Sequence, residues 1–143
     1  MDLMDIRRAL MMLRGGTMAQ AKSGTFTGDS TITTVLDIGF EPDVIVIDSG
    51  LDLSVAGWQG LACVVIIKDV LTFNYYHNST TDTNERTYNS SIKSNQDQWG
   101  ASSGAYRNYA IFSDGKMTVT NKTNNANVSF VNGQNYSWTA YKK

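Results

Sequence analysis

Beyond Gly15-Gly16 every structured run of this chain reads as β, which limits the folds open to it to antiparallel sheets packed on one another. The runs are short, rich in Val, Ile, Thr, Tyr, Phe and Trp, and separated by Gly, Asn, Asp and Ser clusters. β-Branched and aromatic side chains suit a pleated surface, and small polar ones suit turns. Closely spaced strands with turn signals and no helix between them predict an all-β fold, an antiparallel β-sandwich.

Met1 to Arg14 carries a helical repeat instead. Leu3, Ile6, Leu10 and Leu13 recur at spacings of three, four and three, the a/d seam of a coiled coil. Such a helix spans about 20 Å and is marginal alone in water, so it needs a partner surface. Leu at a with Ile at d favours trimers or tetramers. The seam therefore predicts a homotrimer or docking on the chain's own body. Met4, Met11 and Met12 widen the apolar face, while Asp2, Asp5 and Arg14 suit the helix dipole. A secretory signal is a poor reading, because the start is acidic and Arg7-Arg8 divide the apolar run. A membrane-surface helix lacks its aromatic anchor. The expected organisation is an oligomerisation or docking helix over residues 1–16 and a β-sandwich domain over residues 17–143.

Composition narrows the function. The 143 residues carry a formal net charge of −1 and a pI near 5.7, which is no electrostatic footprint for nucleic acid. No apolar run approaches the length of a membrane span. The single cysteine, Cys63, stands in Leu61-Ala62-Cys63-Val64-Val65-Ile66-Ile67, where a buried small hydrophobe is expected. One His and one Cys, far apart in sequence, do not make a zinc site. Asp82 and Glu85, or Asn95 and Asp97, lack the spacing of a calcium loop. Glu41 and Glu85 are the only glutamates, and Glu41 belongs to a turn, so the carboxylate pair of a glycosidase has no clear candidates. No nucleophile elbow or phosphate loop is present. The expectation is a non-enzyme without metal or cofactor.

Along the body, Thr31 to Ile38 is expected as a strand, followed by the turn Gly39-Phe40-Glu41-Pro42-Asp43. Val44-Ile45-Val46-Ile47 and Leu61 to Ile67 are apolar at every position, so both should be central strands covered on two faces. Asp48 to Gly60 is expected as a loop, and Val70 to Tyr76 as a further strand. His77 to Gly104 reads as a long polar connection, with an edge strand allowed over Arg86 to Ile92. Tyr109 to Phe112 should meet Lys116 to Thr120 across Ser113-Asp114-Gly115, a strong hairpin signal. A second hairpin is expected from Val128–Val131, the turn Asn132 to Asn135, and Tyr136 to Tyr141. Tyr136, Trp138 and Ala140 share one face of the last strand, the face expected to enter the core.

Three segments together carry a family resemblance: Gly24-Thr25-Phe26-Thr27-Gly28, Gly39-Phe40-Glu41-Pro42-Asp43-Val44-Ile45-Val46-Ile47, and Gly133-Gln134-Asn135-Tyr136-Ser137-Trp138-Thr139-Ala140. This set resembles the β-sandwich modules of bacteriophage tail fibres, baseplates and receptor-binding proteins, whose layout is similar to that of H-type lectins. Asp5-Ile6-Arg7-Arg8 is similar to the start of small tail proteins of phages from low-GC bacteria. The resemblance implies a homotrimeric component of a phage tail or phage-like particle. It would be made in the host cytoplasm without a signal peptide, and would assemble with other tail or baseplate proteins. It transfers no catalytic residue.

Saccharide binding is the small-molecule role the residues suit. Sugars are held by aromatic faces and by amide and carboxylate hydrogen bonds. Tyr76 and His77 at a strand end, with Asn95, Asp97, Trp99 and Tyr106 in the polar segment, supply that chemistry and are the expected ligand residues, with a host-surface glycan as ligand. The competing role for Trp99 is to pin a long loop to the sandwich. Two further functions stand beside the virion reading: a free lectin-like module outside any particle, and, with less support, a carbohydrate-active enzyme.

Overall fold

The computed structural model describes residues 20–50, 60–68, 71–78, 82–90, 98–100, 107–122 and 129–143. The helix expected over residues 1–16, with Leu3, Ile6, Leu10 and Leu13, lies outside the described residues. Within them the chain is all-β, in two antiparallel sheets. The strands are β1 (Gln20–Thr27), β2 (Thr33–Asp37), β3 (Val44–Asp48), β4 (Gly60–Ile67), β5 (Leu71–Asn78), β6 (Thr83–Ser90), β7 (Gln98–Gly100), β8 (Arg107–Ser113), β9 (Lys116–Lys122) and β10 (Asn135–Lys142). One sheet has the order β1-β10-β3-β4-β5-β6 and the other β2-β9-β8-β7.

The all-apolar runs take the centre of the larger sheet, as their two covered faces require. Ile45 and Ile47 of β3, Val64 and Ile66 of β4, and Tyr136, Trp138 and Ala140 of β10 point to one face. There they meet Leu36 of β2, Met117 and Val119 of β9, and Ala110 of β8 from the smaller sheet. The two sheets thus form a sandwich-like pair with a shared core. A bulge at Ala62, between Leu61 and Cys63, lets Leu61 join the inner face while Cys63 turns to the outer one.

The last strand is the keystone of the larger sheet. β10 pairs with β1 from Gln20↔Lys142 to Thr27↔Asn135 on one side, and with β3 on the other. The Trp138 indole lies across Gly24, where an added Cβ would stand 2.6 Å from the ring. Tyr136 is fully buried, stacks on Phe26 at 5.1 Å and meets Phe130 edge-on at 5.3 Å. Its hydroxyl donates to the Leu61 carbonyl at 2.7 Å and accepts from the Val131 N–H at 2.9 Å.

Two expectations need correction. The expected hairpin partner of β10 is not a strand: Ser129 to Val131 bonds elsewhere, because both hydrogen-bonding edges of β10 are taken by β1 and β3. Leu61 donates to Ser129, Phe130 to Thr31, and Ser30 to Phe130, so the segment plugs one end of the core with the Phe130 ring. The long polar connection from His77 onward is also more ordered than expected. β5 runs on to Asn78, and Thr83–Ser90 forms the edge strand of the larger sheet. The Asp114-Gly115 hairpin forms as expected, with both residues at positive φ (53° and 75°) and Ser113 opposite Lys116. The Gly115 carbonyl accepts from Ile38 and Gly39, which ties this hairpin to the turn leading into β3.

Replacing Trp138 by Ala should cost about 3–5 kcal/mol in chemical denaturation, the range for deleting a buried aromatic. Gly24→Val should be comparably damaging, since the ring above it cannot move without opening the core; a neutral result would mean β1 is not seated under the indole.

The hydroxyl of Tyr136 generates a second prediction. Burial pushes its pKa from 10.0 up to about 12, with the Val131 N–H bond opposing. A raised acid pKa means that the neutral form is favoured by folding. The contribution is complete below the unfolded value of about 10 and is lost as pH rises through the folded value. Denaturation midpoints should therefore fall between about pH 10 and 12. Tyr136→Phe should lose about 1–3 kcal/mol at neutral pH, because two buried backbone groups are left unpaired, and should flatten that alkaline slope.

Candidate binding surfaces

Strand alternation separates two of the expected ligand residues. Tyr76 belongs to the core, 1% exposed among Leu61, Ile66 and Tyr136. Its ring faces inward and cannot carry a sugar at the surface, which corrects the expectation for this residue. His77, the next residue, faces the opposite side. Its Nδ1 lies 2.8 Å from Asn84 Oδ1 and its Nε2 lies 3.2 Å from Asp82 Oδ1. Asp82 adopts φ of 55°, a left-handed conformation that short polar side chains tolerate.

The imidazole is thus held from two sides by residues that follow it in the β5–β6 hairpin. A neutral ring carries one N–H and can donate to one of the two oxygens; the protonated ring donates to both. In that second state the Asp82 contact is an ion pair, with the carboxylate almost fully in solvent and the ring largely covered. Exposed pairs of this kind contribute little. The arrangement is a clasp on the hairpin rather than a free ligand donor.

The other expected residues enter from elsewhere. Asn84 pairs with His77, whereas Ser90 pairs with Leu71. The chain therefore leaves β6 about 20 Å along the hairpin from the His77 clasp, at about 3.3 Å per residue. Trp99 is in β7, the edge strand of the smaller sheet, opposite Ala110. Asn95, Asp97 and Tyr106 lie outside the described residues. His77 and Trp99 thus belong to different sheets.

A second surface had no signal in the sequence. The outer face of the smaller sheet carries Val35 of β2 and Ile111 of β8, the exposed large hydrophobics among the described residues. Both stand opposite Thr118 of β9, so the three form one row across the sheet. Thr33 and Thr120 make the next row, their hydroxyls 3.2 Å apart, and Asp37 with Lys116 and Ser113 the row beyond. The face is a sheet surface with hydroxyl edges and a short apolar ridge.

Reactive groups elsewhere are restrained. Cys63 is buried, as its apolar run suggests. Burial, then the Asp48 charge, pushes its thiol up to about 12, against an opposing effect of the chain's amino-terminal charge. Such a thiol is not a nucleophile at neutral pH. Among the described residues no three His, Cys, Asp or Glu side chains gather closely enough to hold a metal ion. Asp29 accepts from both the Thr31 hydroxyl and N–H, and these bonds lower its carboxyl pKa. It closes a turn on the exposed surface.

No protein-family model matches the chain, and neither a curated protein nor a solved structure shows significant similarity to it.

Removing the clasp should affect the hairpin alone. His77→Ala is expected to cost about 1 kcal/mol and to speed hydrogen exchange at the Asn78–Thr83 end of β5 and β6. Core amides of β3 and β4 should exchange as before; uniform acceleration across the sheet would show that the clasp supports more than its own turn.

Proposed function

We propose that this protein is a structural and adhesion module of a phage tail or phage-like particle, acting through surface contacts as a homotrimer that recognises a host-surface saccharide. The observation that carries the reading is the convergence of the three resemblance segments. Gly24 to Gly28 lies in and just after β1, Gly133 to Ala140 leads into β10, and Gly39 to Ile47 leads into β3. These three strands are neighbours in the larger sheet, in the order β1-β10-β3. Segments more than a hundred residues apart thus form one packed unit, with the Trp138 ring over Gly24 and the Gly28 N–H donating to Gln134. This packing supports reading the three segments as parts of one module.

The adhesion part of the proposal centres on β7 and the chain on either side of it. β7 is the edge strand of the smaller sheet and lies between two polar segments, where binding residues concentrate, whereas β3, β4 and β10 are central in the larger sheet. Trp99 is the aromatic platform in this reading, and the adjoining amides and carboxylates orient the sugar. Trimers multiply weak single-site affinity through avidity.

Light scattering on the full chain should give three times the monomer mass. Binding to host cell-wall glycan should be lost in Trp99→Ala, with the strands retained by circular dichroism. Mass spectrometry of purified particles from the producing cells should find the chain. A chain missing from particles and inert on glycan arrays would refute the proposal. A Trp99→Ala variant that unfolds would reassign Trp99 to anchoring the edge.

A further inference from the structure

The turn between the Ser129–Val131 plug and β10 carries the chain's single Asn-Gly step, Asn132-Gly133. The Gln134 N–H donates to the Val131 carbonyl at 3.0 Å and closes a four-residue turn. Gly133 has φ of 79° while Asn132 stays at negative φ, the pattern of a type II turn with glycine at its second central position. Both residues are exposed to solvent.

An asparagine amide followed by glycine is open to attack from its own main chain, because glycine has no side chain to hinder the approach. The Gly133 nitrogen gives up its proton to a solvent base and attacks Asn132 Cγ. The C–N bond of the side-chain amide breaks, ammonia leaves, and a five-membered succinimide remains. Water then opens the ring at either carbonyl and leaves aspartate or isoaspartate. The sum is amide plus water to acid plus ammonia, with nothing oxidised or reduced. In the isoaspartyl product the main chain runs through Cβ and Cγ and is one atom longer.

The fold restrains this reaction in two ways. The Gly133 N–H, which must be deprotonated and turned towards Cγ, donates to the Gly28 carbonyl at 2.9 Å. Ring closure also needs Asn132 Cβ eclipsed with the Gly133 nitrogen about the Cα–C bond. A type II turn has ψ of about +120° at its first central residue, which eclipses Hα with that nitrogen instead. Both restraints are released only when the turn separates from the end of β1.

That separation is opposed by the same bonds that seal the core. The Gly28 N–H donates to the Gln134 carbonyl at 2.8 Å, so the turn and the end of β1 exchange two bonds. A Cβ added at Gly28 would collide with the Val131 carbonyl. The Val131 N–H donates to the Tyr136 hydroxyl, and Phe130, one residue earlier, is held to Thr31 and Ser30.

We infer that Asn132 is a modification site, a deamidation centre gated by the fold, whose conversion to isoaspartate unseals the Phe130 end of the core. The added main-chain atom draws the Gly133 N–H away from Gly28 and the Gln134 N–H away from Val131, and the backbone that seats the Phe130 ring goes with them. Asp114-Gly115 has the same spacing, but an ionised carboxylate is a poor electrophile. The inference does not rest on the adhesion proposal, and its test reads neither particles nor glycan.

The full chain is aged at mildly alkaline pH in native buffer and in guanidinium chloride, beside a synthetic peptide of residues 128–137. Peptide mapping by mass spectrometry scores amide-to-acid exchange at Asn132, and labelling by isoaspartyl methyltransferase scores the rearranged product. Asn132 should convert in denaturant at the rate of the peptide. In native buffer it should convert at least about tenfold more slowly, the factor for a local opening free energy of about 1.4 kcal/mol. The isoaspartyl chain, isolated by chromatography and refolded, should melt below the parent or fail to refold. Asn132→Asp, which carries the acid without the longer main chain, should melt with the parent. Equal rates in native buffer and denaturant would overturn the gate, and an Asn132 that survives in denaturant would overturn the site. An isoaspartyl chain that melts with the parent, or an Asn132→Asp variant that melts as low as the isoaspartyl chain, would overturn unsealing by main-chain lengthening.

Discussion

Strands β3 and β4 are apolar on both faces, and this constraint organises the molecule. A strand carrying Val44, Ile45, Val46 and Ile47 in succession cannot sit at an edge or face water on either side without exposing several large side chains, each stabilised by about 1.5–3 kcal/mol on burial. The sequence therefore demands neighbours on both hydrogen-bonding edges and a layer above and below. The neighbours are β10 and β5. The inner layer is the β2-β9-β8 surface with Leu36, Met117, Val119 and Ala110. The outer face carries an apolar cluster of its own, Val44, Cys63, Val65, Ile67 and Phe73.

Once β3 and β4 are central, closure depends on the two ends of the chain finding each other. β10 must insert between β1 and β3, a pairing that joins Gln20 to Lys142 and Trp138 to Ile47. Contacts this distant in sequence form late and slowly, because loop closure costs entropy before the pairing repays it. The side chains that reward the pairing are concentrated there. The Trp138 ring fills the space left by Gly24, Tyr136 stacks on Phe26, and the Tyr136 hydroxyl bridges β4 to the Ser129–Val131 plug. A sandwich sealed by its final strand is all or nothing, which favours one well-defined structure over partly paired states.

What could be read beforehand followed from local chemistry. Asp114-Gly115 announces its hairpin because a two-residue turn needs positive φ at both positions. The inward face of β10 follows from simple alternation of Tyr136, Trp138 and Ala140. The central place of β3 and β4 follows from their unbroken apolarity. Where several arrangements satisfy the same local pattern, the sequence was silent. Leu61 to Ile67 is apolar throughout, so nothing in it marks the Ala62 bulge that decides which side Cys63 faces. Ser129 to Val131 has a strand-like composition, and only competition for the two edges of β10 excludes it from the ladder. Tyr75 and Tyr76 look alike as sugar platforms, and the register of β5 puts the second in the core. β6 consists of Thr, Asn, Glu, Arg, Tyr and Ser, and pairing with β5 rather than apolar burial makes it a strand. The apolar ridge of Val35 and Ile111 is invisible until register brings them both opposite Thr118.

The same geometry separates scaffold from surface. Core packing fixes the residues of β3, β4, β10 and the inner face of the smaller sheet, so they are poor places for recognition chemistry to vary. The outer face of the smaller sheet and the clasped end of the β5–β6 hairpin are free of that duty. They belong to different sheets, the first to β2-β9-β8-β7 and the second to the β5–β6 edge of the larger one. Substitutions on either surface leave the shared core of Leu36, Ile45, Met117 and Trp138 in place, so contact residues can vary there without loss of the fold.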